Sequence, residues 1–399
     1  MEKMGKYNFD EYVERRNTNC TKWDNLDKTF PRAKKDSIPM WIADMDFAVA
    51  DPIIESVHRV ADRKVFGYST RETDEFYNAV LGWYKRRFDW ELDRESIMFC
   101  GGVVPAVALL IRLLTEEGNG VIIQRPVYYP FTNKIKENNR KVVNNPLIYK
   151  NGKYTMNFED LEEKAADPNN KLMILCSPHN PVGRVWTEEE LKKVVEICKK
   201  HDVFIIADEI HNDLVRKGHK HINLQKLCPE YKEHIVTCLA ASKTFNLAGM
   251  QMSNIIINTP ELREAWLKEV PKSGAQHNPN PFSIEAVIAA YNESEDWLDE
   301  LIEYLDSNAK YVEEFVKENL PKVKVTPLEG TYLMWLDFNE YGISADELET
   351  IMLEEAGLIF DEGTMFGEEG SGFERINIAC PRCILEECMK RIHESFKDR

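Results

Sequence analysis

Leu172-Met-Ile-Leu-Cys176, Thr187-Glu-Glu-Glu-Leu-Lys-Lys-Val-Val-Glu-Ile-Cys198 and Val203-Phe-Ile-Ile-Ala207 lie close together in the chain and read as strand, helix and strand. The outer runs are almost continuously apolar, as strands are when both faces of their sheet are covered. The middle run opens on a threonine N-cap, carries acids in its first turn and spaces its apolar residues by three and four, which is the pattern of an amphipathic helix. Moving outward, Ile97 to Cys100 reads as a strand, Gly101-Gly102 as a turn, Val104 to Leu114 as a helix, and Val121 to Gln124 and Ile235 to Ala241 as further strands. Strands of this kind separated by helices predict an α/β architecture with a mostly parallel central sheet.

The texture changes after about residue 285. Long charged helices such as Trp297 to Asn319 give way to short strands near Val323 to Thr326 and Tyr332 to Asp337, and a last helix follows Pro381. This stretch predicts a smaller α+β domain. The first residues, up to about Phe47, have little regular pattern. The expected organisation is therefore an N-terminal segment (1–47) packed on the small domain and lining the cleft, a large domain (48–285) and a small C-terminal domain (286–399).

Composition excludes several classes. The chain has 399 residues, 43% hydrophobic and 30% charged, which suits a globular enzyme. A formal charge of −17 opposes binding to nucleic acid or to an anionic membrane. The apolar run Val103 to Leu114 is interrupted by Arg112 and is too short to span a bilayer, and the first ten residues lack the apolar core of a secretory signal, so the expected location is cytoplasmic. Nine scattered cysteines read as reduced thiols rather than a disulfide framework. Cys380-Pro-Arg-Cys383 has redox-motif spacing, but with no second such pair it does not make a metal site.

Ligands of open α/β sheets sit beyond the carboxyl ends of the strands. Three strand ends here carry polar groups: Asn180 in Ser177-Pro-His-Asn-Pro-Val-Gly-Arg184, Asp208 in Asp208-Glu-Ile-His211, and Lys243 in Ala240-Ala-Ser-Lys-Thr-Phe-Asn-Leu-Ala-Gly249. A lysine after a buried strand is desolvated, which lowers its pKa and makes it a Schiff-base candidate. Each group alone has an ordinary structural explanation. Together they fit one cofactor, pyridoxal 5′-phosphate (PLP), which binds a lysine through its aldehyde and accepts electrons while its ring nitrogen stays protonated. Lys243 would anchor it, Asp208 would hold the ring nitrogen, and Asn180 and His211 would reach the ring oxygen. The glycine turn and helix start at Gly102, Val103 and Val104, with Ser242, would bind the phosphate. Tyr128 in Arg125-Pro-Val-Tyr-Tyr-Pro130 offers a ring to stack on the pyridine. Arg375, placed at the start of the strand-like run Phe373 to Ala379, offers a fork for a carboxylate, which suits an amino-acid substrate.

The motifs Ser177 to Arg184, Asp208 to His211 and Ser242 to Gly249 resemble those of fold type I PLP enzymes of the aminotransferase class I/II superfamily, over nearly the whole chain. More narrowly, Trp41-Ile-Ala-Asp-Met-Asp-Phe47, Phe66-Gly-Tyr-Ser69, Asp208-Glu-Ile-His-Asn-Asp-Leu214 and Arg375-Ile-Asn-Ile-Ala-Cys-Pro-Arg382 resemble the MalY/PatB group of cystathionine β-lyases, which are carbon-sulfur lyases. The resemblance implies a PLP-dependent transferase-like fold and a homodimer in which Tyr68 reaches the phosphate of the neighbouring subunit. It also implies catalytic roles for Lys243 and Tyr128, and substrate contacts for Arg375 and Tyr129. Two positions depart from it: Ala240 stands where many aminotransferases have a phosphate-binding serine, and Gln251 where they often have an arginine. The implied reaction is α,β-elimination of cystathionine or a related S-substituted cysteine. The alternatives are amino-group transfer and, less directly, a regulatory protein that retains the fold.

Overall fold

Apolar runs that cannot face water on either side must be sandwiched, and the computed structural model, which describes residues 5–274 and 278–399, places them in a covered seven-stranded sheet. Its strands are Ile97–Cys100 (β1), Gly120–Ile123 (β2), Lys141–Asn144 (β3), Asn170–Cys176 (β4), Phe204–Asp208 (β5), Ile235–Leu239 (β6) and Ser253–Ile257 (β7). The spatial order is β1-β7-β6-β5-β4-β2-β3. β7 runs antiparallel to both of its neighbours, and the other pairings are parallel. Two of these strands carry no clear signal in the sequence. β3 lies at the sheet edge and is only partly buried, so it lacks the apolar run of a central strand. β7 is fully buried and helix Pro260–Lys272 follows it directly, but it opens on the polar Ser253 and Asn254, so its apolar run is only Ile255 to Ile257.

The helices follow their patterns closely. Val103–Leu114 (α1) begins after Gly102, and Glu188–Lys200 (α2) opens on a reciprocal cap: the Glu190 amide donates to Thr187 Oγ1 (3.2 Å) and the Thr187 amide donates to Glu190 Oε2 (2.9 Å). Helix Glu295–Asn319 (α3) starts two residues before the sequence pattern and buries a stripe that includes Trp297, Leu301, Leu305 and Val312. No helix among the described residues is long and apolar enough to cross a membrane.

The smaller sheet is antiparallel throughout. Its strands Lys324–Val325 (β8), Leu333–Asp337 (β9), Asp361–Glu362 (β10) and Phe373–Asn377 (β11) are ordered β8-β9-β11-β10. Helix Arg382–Phe396 (α4) covers it, with Leu385, Met389 and Ile392 inward. From the N-terminal segment, Ile38–Pro39 pairs in parallel with Leu358–Ile359. That segment is tied internally by buried ions. Lys22 Nζ lies 2.6 Å from Asp46 Oδ2, and Arg15 bridges Asp46 (2.6 Å) and Asp44 (2.7 Å). Breaking one partner of such a set leaves an uncompensated buried charge, so the loop from Trp41 to Phe47 is held in one place.

Candidate active site

A cavity of about 190 Å³ opens beyond the carboxyl ends of β4, β5 and β6, where the strand ends bring together Asn180, Asp208 and Lys243. Asp208 is the last residue of β5 rather than the first loop residue that the sequence implies, so the sheet itself fixes its position. It is buried, and its Oδ1 accepts from the Ile210 amide (3.2 Å). No described cation lies within ion-pairing distance. Burial therefore drives its pKa up to about 7, although the Ile210 hydrogen bond and the charge of Lys243 oppose the rise.

Lys243 shows the complementary perturbation. The strand expected to run to Ala241 ends at Leu239, and Lys243 lies on the single helical turn Ala241–Thr244. The turn adds reach: Nζ donates to the Ala43 carbonyl (2.6 Å), which comes from the N-terminal segment and also accepts from Tyr332 Oη (2.9 Å). The residue as a whole is half-buried, but its amine is enclosed by protein. Desolvation brings its pKa down to about 8, with Asp44 raising it, Arg375 lowering it and Asp208 raising it. An amine titrating there is partly neutral near physiological pH and able to attack an aldehyde.

Asn180 is buried, and its Oδ1 accepts from Arg375 Nη1 (3.1 Å), so the large and small domains meet at this amide. His211 is also buried. Burial, then the nearby charges of Lys243 and Arg375, push its pKa down to about 3, so it stays neutral, and its Nδ1 has no partner. The amino end of α1, Gly101 to Val104, forms another wall, joined by Ser242, Gln251 and Ser253. A helix start presents free amides and a partial positive charge. Tyr128 lines the cavity too, and its backbone amide donates to the Asn180 carbonyl (3.0 Å).

Arg375 lies in the middle of β11, not at the start of the strand as its sequence context implies. Its Nη2 donates to the Trp41 carbonyl (2.7 Å) and to Asp361 Oδ2, while its buried Nε has no partner. Tyr129 is not part of the cavity lining; its ring meets Phe366 edge-on at 6.0 Å, close enough to Asp361 and Arg375 to be influenced by both charges. Tyr68 is fully exposed and absent from the cavity of its own chain. Ala240 is buried and does not line the cavity, whereas Gln251 does.

Several residues of the site, Ala43 and Ser253 on the cavity wall and Asp361 behind it with Arg375, carry no chemical signal in the sequence. Ala43 acts through its carbonyl, and Ser253 opens the unanticipated strand β7. Asp361 becomes meaningful only through its register opposite Arg375. Of these, only Ala43 falls in a quoted motif, Trp41 to Phe47.

The unmet needs of the site describe what fits it. A buried carboxylate without a cation, an amine with a lowered pKa, an unpartnered His211 Nδ1 and a helix start converge on one cavity, and a PLP ring with its nitrogen, oxygen, aldehyde and phosphate supplies a partner for each.

Residues 35–392 match the family described as aminotransferase class I and II. The chain belongs to that family. Within it, the chain is 42% identical over 385 residues to cystathionine beta-lyase PatB of Bacillus subtilis, covering 96% of this chain and 98% of that one. Among solved structures, cystalysin from Treponema denticola, which contains a pyridoxal 5′-phosphate cofactor, superposes with a TM-score of 0.94 at 39% identity, covering 98% and 99% of the two chains. The PLP-bound C-S lyase from Staphylococcus hominis superposes with a TM-score of 0.91 at 34% identity over 98% of each chain. Cys380 and Cys383 are not joined to each other; the first is buried and the second exposed.

Proposed function

We propose that this protein is a PLP-dependent carbon-sulfur lyase that cleaves cystathionine or a related S-substituted cysteine to a thiol, pyruvate and ammonia. The observation that carries the reading is the pairing of a buried, cation-free Asp208 with a pKa-lowered Lys243 across one cavity, in a chain closely similar to lyases along its whole length. PLP bound there supplies an aldehyde that takes up the substrate amine and a protonated ring that withdraws electrons from Cα.

The protein's own groups do the rest. Asp208 would supply the negative charge that keeps the ring nitrogen protonated. Asn180 and His211 would serve the ring oxygen, and Tyr128 would pack on the ring. The Gly102, Val103 and Val104 amides at the start of α1, with Ser242, would hold the phosphate. Arg375 receives the substrate carboxylate, with its free Nε among the donors, and Tyr129 flanks it. Lys243 would hold the cofactor through its amine and would take the proton from the substrate Cα. The Cβ–S bond then breaks, its electron pair leaves with sulfur, and water converts the remaining unsaturated amine to pyruvate and ammonia.

The assembly is read as a homodimer. Val65, Phe66 and Tyr68 are strongly exposed large side chains on one short segment, and Tyr68 would complete the phosphate site of the other subunit. The division into residues 1–47, 48–285 and 286–399 follows the same reading: the first segment lines the cavity through Ala43 and meets Arg375 through the Trp41 carbonyl. The partner molecules are amino acids, not nucleic acid or membrane, and the location is the cytoplasm.

The test is a product assay. Protein loaded with PLP is incubated with L-cystathionine, first without and then with a keto acid. Thiol and pyruvate released without the keto acid support the lyase; amino transfer that needs the keto acid and yields no thiol identifies an aminotransferase instead.

A further inference from the structure

Arg375 is already occupied by an anion before any substrate arrives. β10 and β11 pair antiparallel with Asp361 directly opposite Arg375, and Asp361 Oδ2 accepts from Arg375 Nη2. Both residues are almost fully buried, with 2% and 3% of their surfaces exposed. The guanidinium is held in place without that carboxylate: the Trp41 carbonyl accepts from Nη2 at 2.7 Å, and Asn180 Oδ1 accepts from Nη1 at 3.1 Å. Asp361 thus contributes charge more than orientation. A substrate carboxylate that approaches Arg375 becomes the second anion on a single buried cation, in surroundings where like charges interact more strongly than in water. The opposing pair one position along the same two strands, Glu362 and Glu374, brings no cation, and burial pushes both carboxyls up toward their neutral form, so Asp361 is the anion that faces Arg375.

We propose that Asp361 is an internal counter-ion of the carboxylate clamp, which competes with substrate for Arg375 and keeps the binding of amino-acid carboxylates weak. The proposal rests on the reading of Arg375 as the substrate clamp. Its functional sense follows from what the clamp recognises. A carboxylate is common to every amino acid, so a tight grip on it would fill the site with molecules that have no β-sulfur to expel. Binding energy spent equally on ground state and transition state lowers KM without raising kcat. A graded clamp leaves selection to the rest of the substrate.

The test uses the PLP-loaded protein and L-alanine, which carries the carboxylate but no leaving group, titrated by the change in cofactor absorbance. L-alaninamide, which lacks the carboxylate charge, is the control. Asp361→Asn keeps an acceptor for Nη2 and removes only the charge. The expected result is L-alanine binding tightened on the order of tenfold with L-alaninamide affinity unchanged. Should the asparagine variant not take up PLP, Asp361→Ser makes the same change of charge. Weaker L-alanine binding, no change, or an equal change for L-alaninamide overturns the proposal. These titrations do not require turnover. A protein that binds L-alanine as expected but releases no thiol from cystathionine would refute the lyase reading alone, whereas a lyase whose Asp361→Asn variant binds L-alanine less tightly would refute this proposal alone.

Discussion

The large-domain and small-domain walls of the site, the first lining the cavity and the second standing behind Asn180, are in opposite electrostatic states. On the large-domain wall, Asp208 and Lys243 are ionisable groups without ion partners, and burial moves the first up to about 7 and the second down to about 8. On the small-domain side, Arg375 stands behind the cavity lining, which it meets through Asn180, and is already paired with Asp361 and anchored by the Trp41 carbonyl. Two groups left unpaired are a standing cost to the fold, which a resident cofactor removes. Arg375 already has a charged partner of its own, which suits a ligand that comes and goes. Under the proposed function, the difference suits partners of different residence: PLP on the first side and the substrate carboxylate on the second.

The strongest way to break this comparison is Lys243→Ala. With anchor and base both gone, cystathionine cleavage is expected to fall by at least about 10³-fold, measured as kcat/KM for thiol release. Residual activity within tenfold of the parent would place the base elsewhere. Next is Asp208→Asn, which removes the charge opposite the ring nitrogen. Losing one partner of a buried charge pair costs roughly 2–5 kcal/mol, so kcat/KM should drop about 10²-fold or more.

The same variant sharpens the comparison in the cofactor-free protein. There Asp208 titrates near 7, against about 3.9 in an unfolded chain, so the folded state binds the extra proton between those values. The stability associated with that proton is complete below the unfolded value and is lost as pH rises through about 7. Melting temperature without PLP should therefore fall less steeply from pH 6 to pH 8 in Asp208→Asn than in the parent, and added PLP should flatten the parent's slope. Identical slopes in all three would mean that Asp208 does not bear this cost.

On the substrate wall, Arg375→Lys replaces a planar fork by a point charge. It is expected to raise KM by about one to two orders of magnitude with a smaller change in kcat. A loss confined to kcat would remove Arg375 from substrate binding. The smallest effect concerns Tyr128→Ala, which deletes a stacking ring worth about 0.5–1.5 kcal/mol and should weaken PLP affinity by roughly two- to tenfold in an absorbance titration.

The two walls also differed in how far the sequence disclosed them. Asn180, Asp208 and Lys243 follow recognisable strands, and the rule that ligands collect at strand ends brings them together without coordinates. Their exact seats were less legible. Asp208 belongs to its strand, and Lys243 rides on a helical turn, because hydrogen-bond register rather than hydrophobicity sets strand ends. The small-domain wall depends on contacts between distant segments. That Arg375 meets Trp41, Asp361 and Asn180 follows from pairing register and from how the N-terminal segment crosses the cleft, and local periodicity encodes neither. Tyr129 illustrates the limit: its neighbour Tyr128 lines the cavity, whereas the Tyr129 ring turns toward Phe366. The edge strand β3 and the antiparallel β7 escaped for related reasons: both carry polar residues, at the two ends of β3 and in the first two positions of β7, which shorten the apolar run.

The most direct test of the contrast between the walls is to find where the cofactor attaches. PLP-loaded protein is treated with borohydride, which fixes an aldehyde bound to an amine, then digested and mapped by mass spectrometry. The account predicts one pyridoxyl-phosphate group per chain, on the peptide containing Lys243. A label on another lysine, or none at all, would contradict it.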